Sequence, residues 1–94
     1  MTFVPDARLF DGHFDSAPIL PGVAQIDFAI RACTASGLQT TPVTGLRDVR
    51  FVRPITQRGP IDVIVAAGRA PGHISFEIRA AGQVATTGVL VCSA

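Results

Sequence analysis

Hydrophobic and polar positions divide the chain into three regions that differ in period. Residues 1–21 show little periodicity and are rich in Asp, Gly and Pro, which favours a loop after a brief edge strand. Residues 21–36 carry apolar side chains at helical spacing around most of the circumference. Pro21 suits the first turn of this helix, and Gly37 is placed to end it. The second region therefore predicts a helix that is buried on nearly all sides.

The third region is strand-like, because β-branched residues and partial alternation recur from residue 43 onward. The predicted strands cover 43–52, 61–70, 73–80 and 83–91. Pro71-Gly72 and Ala81-Gly82 separate the last three strands and are short enough for hairpin turns. One helix followed by an antiparallel meander predicts an α+β arrangement, with the sheet wrapping the helix.

Length, composition and charge bound what such a chain can do. The 94 residues predict a single domain, 1–94, and a hydrophobic fraction of 48% suggests that part of its apolar surface meets another subunit. Eight basic residues, all Arg, against seven acidic ones leave a net charge of +1, which favours neither nucleic acid nor an anionic membrane as partner. Without a secretory signal or a membrane-spanning run, we expect a cytoplasmic protein. Cys33 and Cys92 lack metal-ligand spacing and are interpreted as two buried thiols.

The run from residue 12 to residue 23 is the part that indicates chemistry. It places His13, two spaced prolines and a helix start within one short stretch. Pro18 and Pro21 stiffen the path into the helix and so direct its N-terminus. The N–H groups of Gly22 and Val23, unpaired within the helix, would then face an acyl oxygen as an oxyanion-type site.

Asp27 lies well inside the same helix, too deep to be an N-cap and with poor helix propensity. A carboxylate in a largely buried helix is costly unless it is paired, and such a group suits proton transfer at neutral pH. The imidazole of His13 titrates in that range too. Beside a polarised thioester, the two supply a base for the α-proton and a donor for a departing hydroxyl. The alternative is a solvated Asp27 that pairs with Arg31 at i,i+4.

These residues resemble the signature of the β-hydroxyacyl-acyl-carrier-protein dehydratases of the hot-dog fold. That signature is close to G-H-F-P-x-x-P-x-x-P-G-V, with a catalytic Glu or Asp four residues after the Val. The matching positions in this chain are Gly12-His13-Phe14, Pro18, Pro21-Gly22-Val23 and Asp27. A weaker resemblance continues through 43–46 and 50–54. The resemblance implies a hot-dog fold, in which one long central helix is wrapped by an antiparallel β-sheet, and a dimer paired through an edge strand.

The resemblance also implies roles for individual residues. His13 would take the α-proton, Asp27 would hold and protonate the leaving hydroxyl, and Gly22 would orient the thioester through its N–H. In the family the His of one subunit works with the acid of the other. The residues expected to line the acyl site are Phe14, Ile19, Val23 and Phe51. The implied partner is acyl carrier protein carrying a phosphopantetheine-linked acyl group, the assembly a homodimer or higher homo-oligomer, and no metal or other cofactor is expected.

Two departures from the family pattern leave other readings open. Asp15 replaces the Pro that follows His-Phe, and Arg31 replaces the usual Gln one turn after the acid. These departures make a non-catalytic acyl-binding subunit an alternative to the dehydratase. A hot-dog acyl thioesterase, in which the helix carboxylate activates water, is a further alternative, although the His-Phe loop ahead of Pro21-Gly22 argues against it. Four arginines form either a surface for the acidic carrier protein or simply a solvent face. They are Arg47, Arg50, Arg53 and Arg58.

Overall fold

One helix and five strands make up the part of the chain that the computed structural model describes, residues 1–10, 19–39, 41–56 and 59–93. The elements, in chain order, are β1 (Thr2–Phe3), a 3₁₀ turn (Ala7–Phe10), α1 (Gly22–Ser36), β2 (Val43–Phe51), β3 (Ile61–Ala67), β4 (His73–Ala80) and β5 (Gln83–Cys92). The predicted helix and the four predicted strands are all present. The largest difference is that β3 ends at Ala67, three residues earlier than expected.

All five strands form one antiparallel sheet in the order β1-β3-β4-β5-β2. Strands β3, β4 and β5 follow one another as a meander, whereas β2 crosses over to pair with the last strand. Ala81 and Gly82 form the β4–β5 turn, both with positive φ (52° and 75°), the conformation that two-residue hairpins need. The predicted hairpin at this position is confirmed.

The helix rests on the sheet with one side only. Its buried residues are Gln25, Phe28, Ala29, Ala32 and Cys33, and it packs against β3 and β4. On the opposite side Val23 is 84% exposed. The expectation of a helix buried on nearly all sides is therefore wrong for a single chain, because a single sheet can cover only one side of a helix.

Both helix ends follow from local chemistry. Gly37 adopts a left-handed φ of 79°, and backbone N–H groups there donate to the carbonyls of Cys33 and Thr34, as the predicted glycine stop requires. At the other end Pro21 occupies the cap position and no side chain caps the helix. Fifteen residues separate these ends, and among the described residues no helix is long and apolar enough to span a bilayer.

The two cysteines are free thiols, as expected. Cys33 is buried on the sheet-facing side of α1, whereas Cys92 at the end of β5 is only partly buried. Burial, and secondarily the charge that a Cys92 thiolate would place nearby, raises the pKa of the Cys33 thiol from 9.0 to about 11. Cys33 is therefore a poor nucleophile.

Candidate active site

Asp27 projects from the open side of α1 and is about half exposed, with 53% of its side chain accessible. The expectation of a buried carboxylate is wrong for the single chain, for the same reason as the exposure of Val23. Its Oδ2 lies 2.8 Å from Nη2 of Arg31, so the i,i+4 pair that the sequence suggested is present. Exposed pairs of this kind contribute little stability, but they do orient a carboxylate.

Arg31 is itself held in place by an aromatic ring. Its guanidinium carbon lies 5.6 Å from the centroid of Phe28, a cation–π distance. Phe28 in turn packs against Phe3 of β1, with ring centroids 5.0 Å apart. The orientation of Asp27 is thus linked through two aromatic side chains to the edge of the sheet.

An apolar groove of about 830 Å³ runs between the first half of α1 and β2. Asp27 lines it, and most of the remaining lining is hydrophobic. These apolar residues are Val23, Ile26, Ile30, Leu46, Val49 and Phe51. A carboxylate beside an apolar channel is the arrangement expected where a polar reaction acts on a lipid-like chain.

Phe51 closes this groove at the start of the helix. A β-carbon added at Gly22 would lie 2.7 Å from Cζ of the Phe51 ring, so the ring would have to move if any larger residue replaced Gly22. The N–H groups of the first turn, including those of Gly22 and Val23, have no carbonyl partner inside the helix. The groove therefore brings together four of the predicted site residues. They are Gly22, Val23, Asp27 and Phe51.

The other predicted site residues are not placed in this groove. Ile19 is partly buried but does not line it. His13 and Phe14 lie outside the described residues, as do Asp15 and Arg58. The roles that the resemblance assigns to His13 and Phe14 therefore stay predictions.

A second groove, about 1030 Å³ in volume, lies on the other side of Asp27. Val23 and Asp27 line both grooves, so they form the ridge between them. This second groove contains Arg8 and Arg31, each paired with a carboxylate: Arg8 lies 3.1 Å from Asp6. The hydrogen bond from the Arg8 side chain lowers the pKa of the Asp6 carboxyl. The second groove thus adds two ion pairs to a lining that is otherwise apolar.

Asp48 is a groove residue that the sequence reasoning missed. It lies on β2 with a positive φ of 52°, where β2 advances from Arg47 to Arg50 while β5 advances only from Val89 to Thr87. The extra residue makes a β-bulge, a feature that redirects side chains near functional sites. An acidic residue within a β-branched strand was the available signal.

Gln25 was also missed. It is a polar residue on the sheet-facing side of α1, only 3% exposed, and it hydrogen-bonds to Leu20 and Thr86. Its signal was a long polar side chain in a helix expected to be buried.

Comparison with known proteins identifies the family. The family model of ApeI-like proteins, described as ApeI dehydratase, matches residues 1–89. The chain belongs to the ApeI-like dehydratase family. It is also similar to proteins named 3-hydroxyacyl-[acyl-carrier-protein] dehydratase FabZ. The one from Teredinibacter turnerae is 25% identical over 99 residues (92% of this chain, 68% of the relative). The one from Idiomarina loihiensis is 29% identical over 98 residues (90% and 65%).

A third FabZ-named relative, from Erythrobacter litoralis, is 31% identical over 67 residues, which are 62% of this chain and 44% of the relative. The chain thus spans between 44% and 68% of the length of these curated relatives. Among solved structures, the dehydratase heterocomplex ApeI:P from Xenorhabdus doucetiae superposes with a TM-score of 0.79 at 24% identity, covering 95% of this chain and 80% of that one.

An uncharacterized protein from Erwinia carotovora subsp. atroseptica gives a TM-score of 0.74 at 24% identity, over 98% of this chain and 77% of that one. At these identities the structures establish the fold alone. The predicted α+β hot-dog fold of this ApeI-like chain is confirmed by its own topology and by this likeness.

Proposed function

We propose that the protein removes water from a 3-hydroxyacyl thioester carried on acyl carrier protein and yields the trans-2-enoyl thioester. The observation that carries this proposal is the position of Asp27, on the rim of an apolar groove at the start of the helix, in a chain of the ApeI-like dehydratase family. The names of the FabZ relatives state the same class of substrate, a 3-hydroxyacyl group on acyl carrier protein.

The chemistry requires one base, one acid and a site for negative charge. In the proposed step the imidazole of His13 removes a proton from C2, and the electron pair moves toward the thioester carbonyl, where the N–H of Gly22 stabilises the charge. The C2–C3 double bond forms as the C3–O bond breaks, and Asp27 gives its proton to the leaving hydroxyl, which departs as water. A proton returned from His13 to Asp27 restores the starting state.

The apolar groove supplies the acyl site in this proposal. Val23 and Phe51 line it at the helix start, and Ile30 lies about two turns further along, so an aliphatic chain has a hydrophobic path past Asp27. Phe14 and Ile19 are proposed to extend this lining.

A homodimer completes the site. The open side of α1 exposes hydrophobic residues, and β2 is an edge strand paired only with β5 in the described sheet. A second copy of the chain that added its own β2 at this edge would cover the groove and bring its His13 toward Asp27 of the first copy. Two free thiols fit a reducing compartment, and we place this assembly in the cytoplasm.

The Asp27–Arg31 ion pair favours a second candidate, a non-catalytic acyl-binding subunit. At 2.8 Å the guanidinium of Arg31 already occupies one oxygen of the Asp27 carboxylate, so that oxygen is not free for a leaving hydroxyl. Such a subunit would bind the acyl group in the same groove without converting it.

One assay separates the candidates. The purified protein is incubated with a 3-hydroxyacyl carrier-protein thioester, and both enoyl absorbance and free thiol are followed. A dehydratase raises enoyl absorbance, a thioesterase releases thiol, and a binding subunit does neither while still retaining the acyl carrier protein.

The same assay tests the assigned residues. His13→Ala and Asp27→Asn are expected to lower enoyl formation by about 10² to 10⁴, since each removes one proton-transfer group. Both variants should keep the wild-type circular dichroism spectrum. Full turnover by either variant would remove that residue from the mechanism.

A further inference from the structure

The sheet-facing side of α1 contains a polar link where an apolar contact would suffice. Gln25 is 3% exposed and Thr86 of β5 is fully buried, and both lie among hydrophobic residues. The Thr86 hydroxyl donates a hydrogen bond to Oε1 of Gln25, and Nε2 of Gln25 donates to the carbonyl of Leu20 at 3.1 Å. Both ends of the amide are therefore used: the Leu20 carbonyl can only accept and so takes the NH₂ end, and the Thr86 hydroxyl donates to the oxygen that is left.

Leu20 is held from both sides by this arrangement. While its carbonyl accepts from Gln25, its own N–H donates to the carbonyl of Ile55 at 2.8 Å. The segment that contains Ile55 is tied in turn to β5, since the N–H groups of Val52 and Arg53 both donate to the Ala85 carbonyl. The backbone immediately before α1 is thus fixed to the helix and to the sheet.

This way of holding the helix start leaves its N–H groups uncommitted. A conventional Ser, Thr or Asp cap would accept from an N–H of the first turn. Here Pro21 occupies the cap position without a side-chain bond, and Gln25 reaches back to a carbonyl instead. Hence the helix start is held without a side-chain cap on the Gly22 and Val23 N–H groups.

The link is adjacent to the groove. Thr86 pairs directly with Phe51 across β5 and β2, and the Phe51 ring lies against Gly22. A shift of Leu20 or Gln25 would therefore move the helix start, and Asp27 with it, relative to Phe51. A buried hydrogen bond contributes little net stability, and an apolar pair of similar shape is nearly equivalent. Stability alone does not account for a fully satisfied polar link at this point.

We infer that Gln25, held by Thr86, is a positioning residue that fixes the Leu20–Gly22 backbone so that the helix start, together with Asp27, keeps its position against β2 in the proposed dehydration. This inference rests on the proposed function. Gln25 touches no reacting atom in it.

The test compares four variants in the carrier-protein assay. Gln25→Leu should lower kcat by roughly ten- to hundredfold with little change in KM, because misplacement of about 1 Å is enough for such a loss. Thr86→Val should give a smaller loss of the same kind. Thr86→Ser keeps the hydroxyl and should retain kcat close to that of the wild type.

The double variant Gln25→Leu/Thr86→Val distinguishes positioning from stability. Because neither side chain of the pair is then left unpaired, its Tm should recover relative to the less stable single variant, whereas its kcat should stay low. Recovery of kcat together with Tm, or a Thr86→Ser variant as impaired as Thr86→Val, would overturn the inference.

A readout without substrate separates this inference from the proposed function. Hydrogen exchange of the Leu20 amide should accelerate in Gln25→Leu, while amides in the middle of β4 stay protected. Unchanged exchange at Leu20 refutes the positioning role whatever the activity. A wild-type protein that forms no enoyl product refutes the proposed function, and the catalytic part of this inference with it.

Discussion

The two sides of α1 have opposite surroundings. The sheet-facing side buries Phe28, Ala29 and Cys33, and the open side presents Val23 next to the Asp27–Arg31 pair. A surface helix of a monomer normally places a charged or polar residue where this one places Val23, which is 84% exposed. The comparison shows that one side of the helix encodes the fold of the single chain, while the other is suited to an assembly and a ligand.

Phe28→Ala should produce the largest effect on stability. The ring is buried and packs against Phe3, so its removal is expected to lower the free energy of unfolding by about 3–5 kcal/mol. Val23→Ala, on the open side, should change it by roughly 0.5 kcal/mol or less in dilute solution. Urea unfolding of both variants measures the difference. Equal losses would mean that the two sides of the helix are not distinct in the single chain.

Leu46→Asp should break the proposed dimer. Leu46 is 47% exposed, faces the helix side of β2 and lines the apolar groove, so a second copy would bury the new carboxylate without a partner. We expect the dimer dissociation constant to rise by about a hundredfold or more. Analytical ultracentrifugation measures it.

Ile64→Asp is the matched control for this experiment. Ile64 is also 47% exposed, but it pairs with Glu77 on the outer side of the sheet. Its substitution should leave the dimer unchanged. If both variants dissociate equally, or if the wild type is a monomer at micromolar concentration, the open side of the helix is not the dimer surface.

The two cysteines should show the smallest effect, a difference in reactivity between the buried Cys33 and the partly buried Cys92. Because burial raises the pKa of Cys33 to about 11, it should react with iodoacetamide at least about tenfold more slowly than Cys92 near pH 8. The pKa of the Cys33 thiol is 9.0 in the unfolded chain and about 11 in the folded protein. The contribution of the buried neutral thiol to the free energy of unfolding is therefore complete below pH 9 and is lost as the pH rises toward 11. Mass spectrometry of the alkylated peptides and thermal unfolding across this range test both statements.

Local features of the sequence predict local structure well. Gly37 ends the helix because only glycine adopts its φ without strain, and Ala81-Gly82 makes the hairpin because two residues suffice for the turn. The family signature likewise predicts that Gly22, Val23 and Asp27 share one site, and in the structure all three line the same groove.

Features that depend on residues far apart in the chain cannot be predicted from the local sequence in the same way. The exposure of Asp27 depends on how much of α1 a single sheet can cover, which helical periodicity does not report. The bulge at Asp48 depends on the register between β2 and β5, strands separated by more than thirty residues. The hydrogen bonds of Gln25 require knowing that Thr86 lies beneath it.

The crossover of β2 also constrains how the chain can fold as it is made. Residues 43–51 pair with residues 83–92 and not with the strand that follows them. During synthesis the nascent β2 must therefore wait for nearly forty further residues to leave the ribosome before its backbone finds a partner, with hydrophobic side chains such as Leu46 and Phe51 uncovered meanwhile. The arginines of this strand, Arg47 and Arg50, keep charge on an edge that would otherwise invite aggregation at that stage.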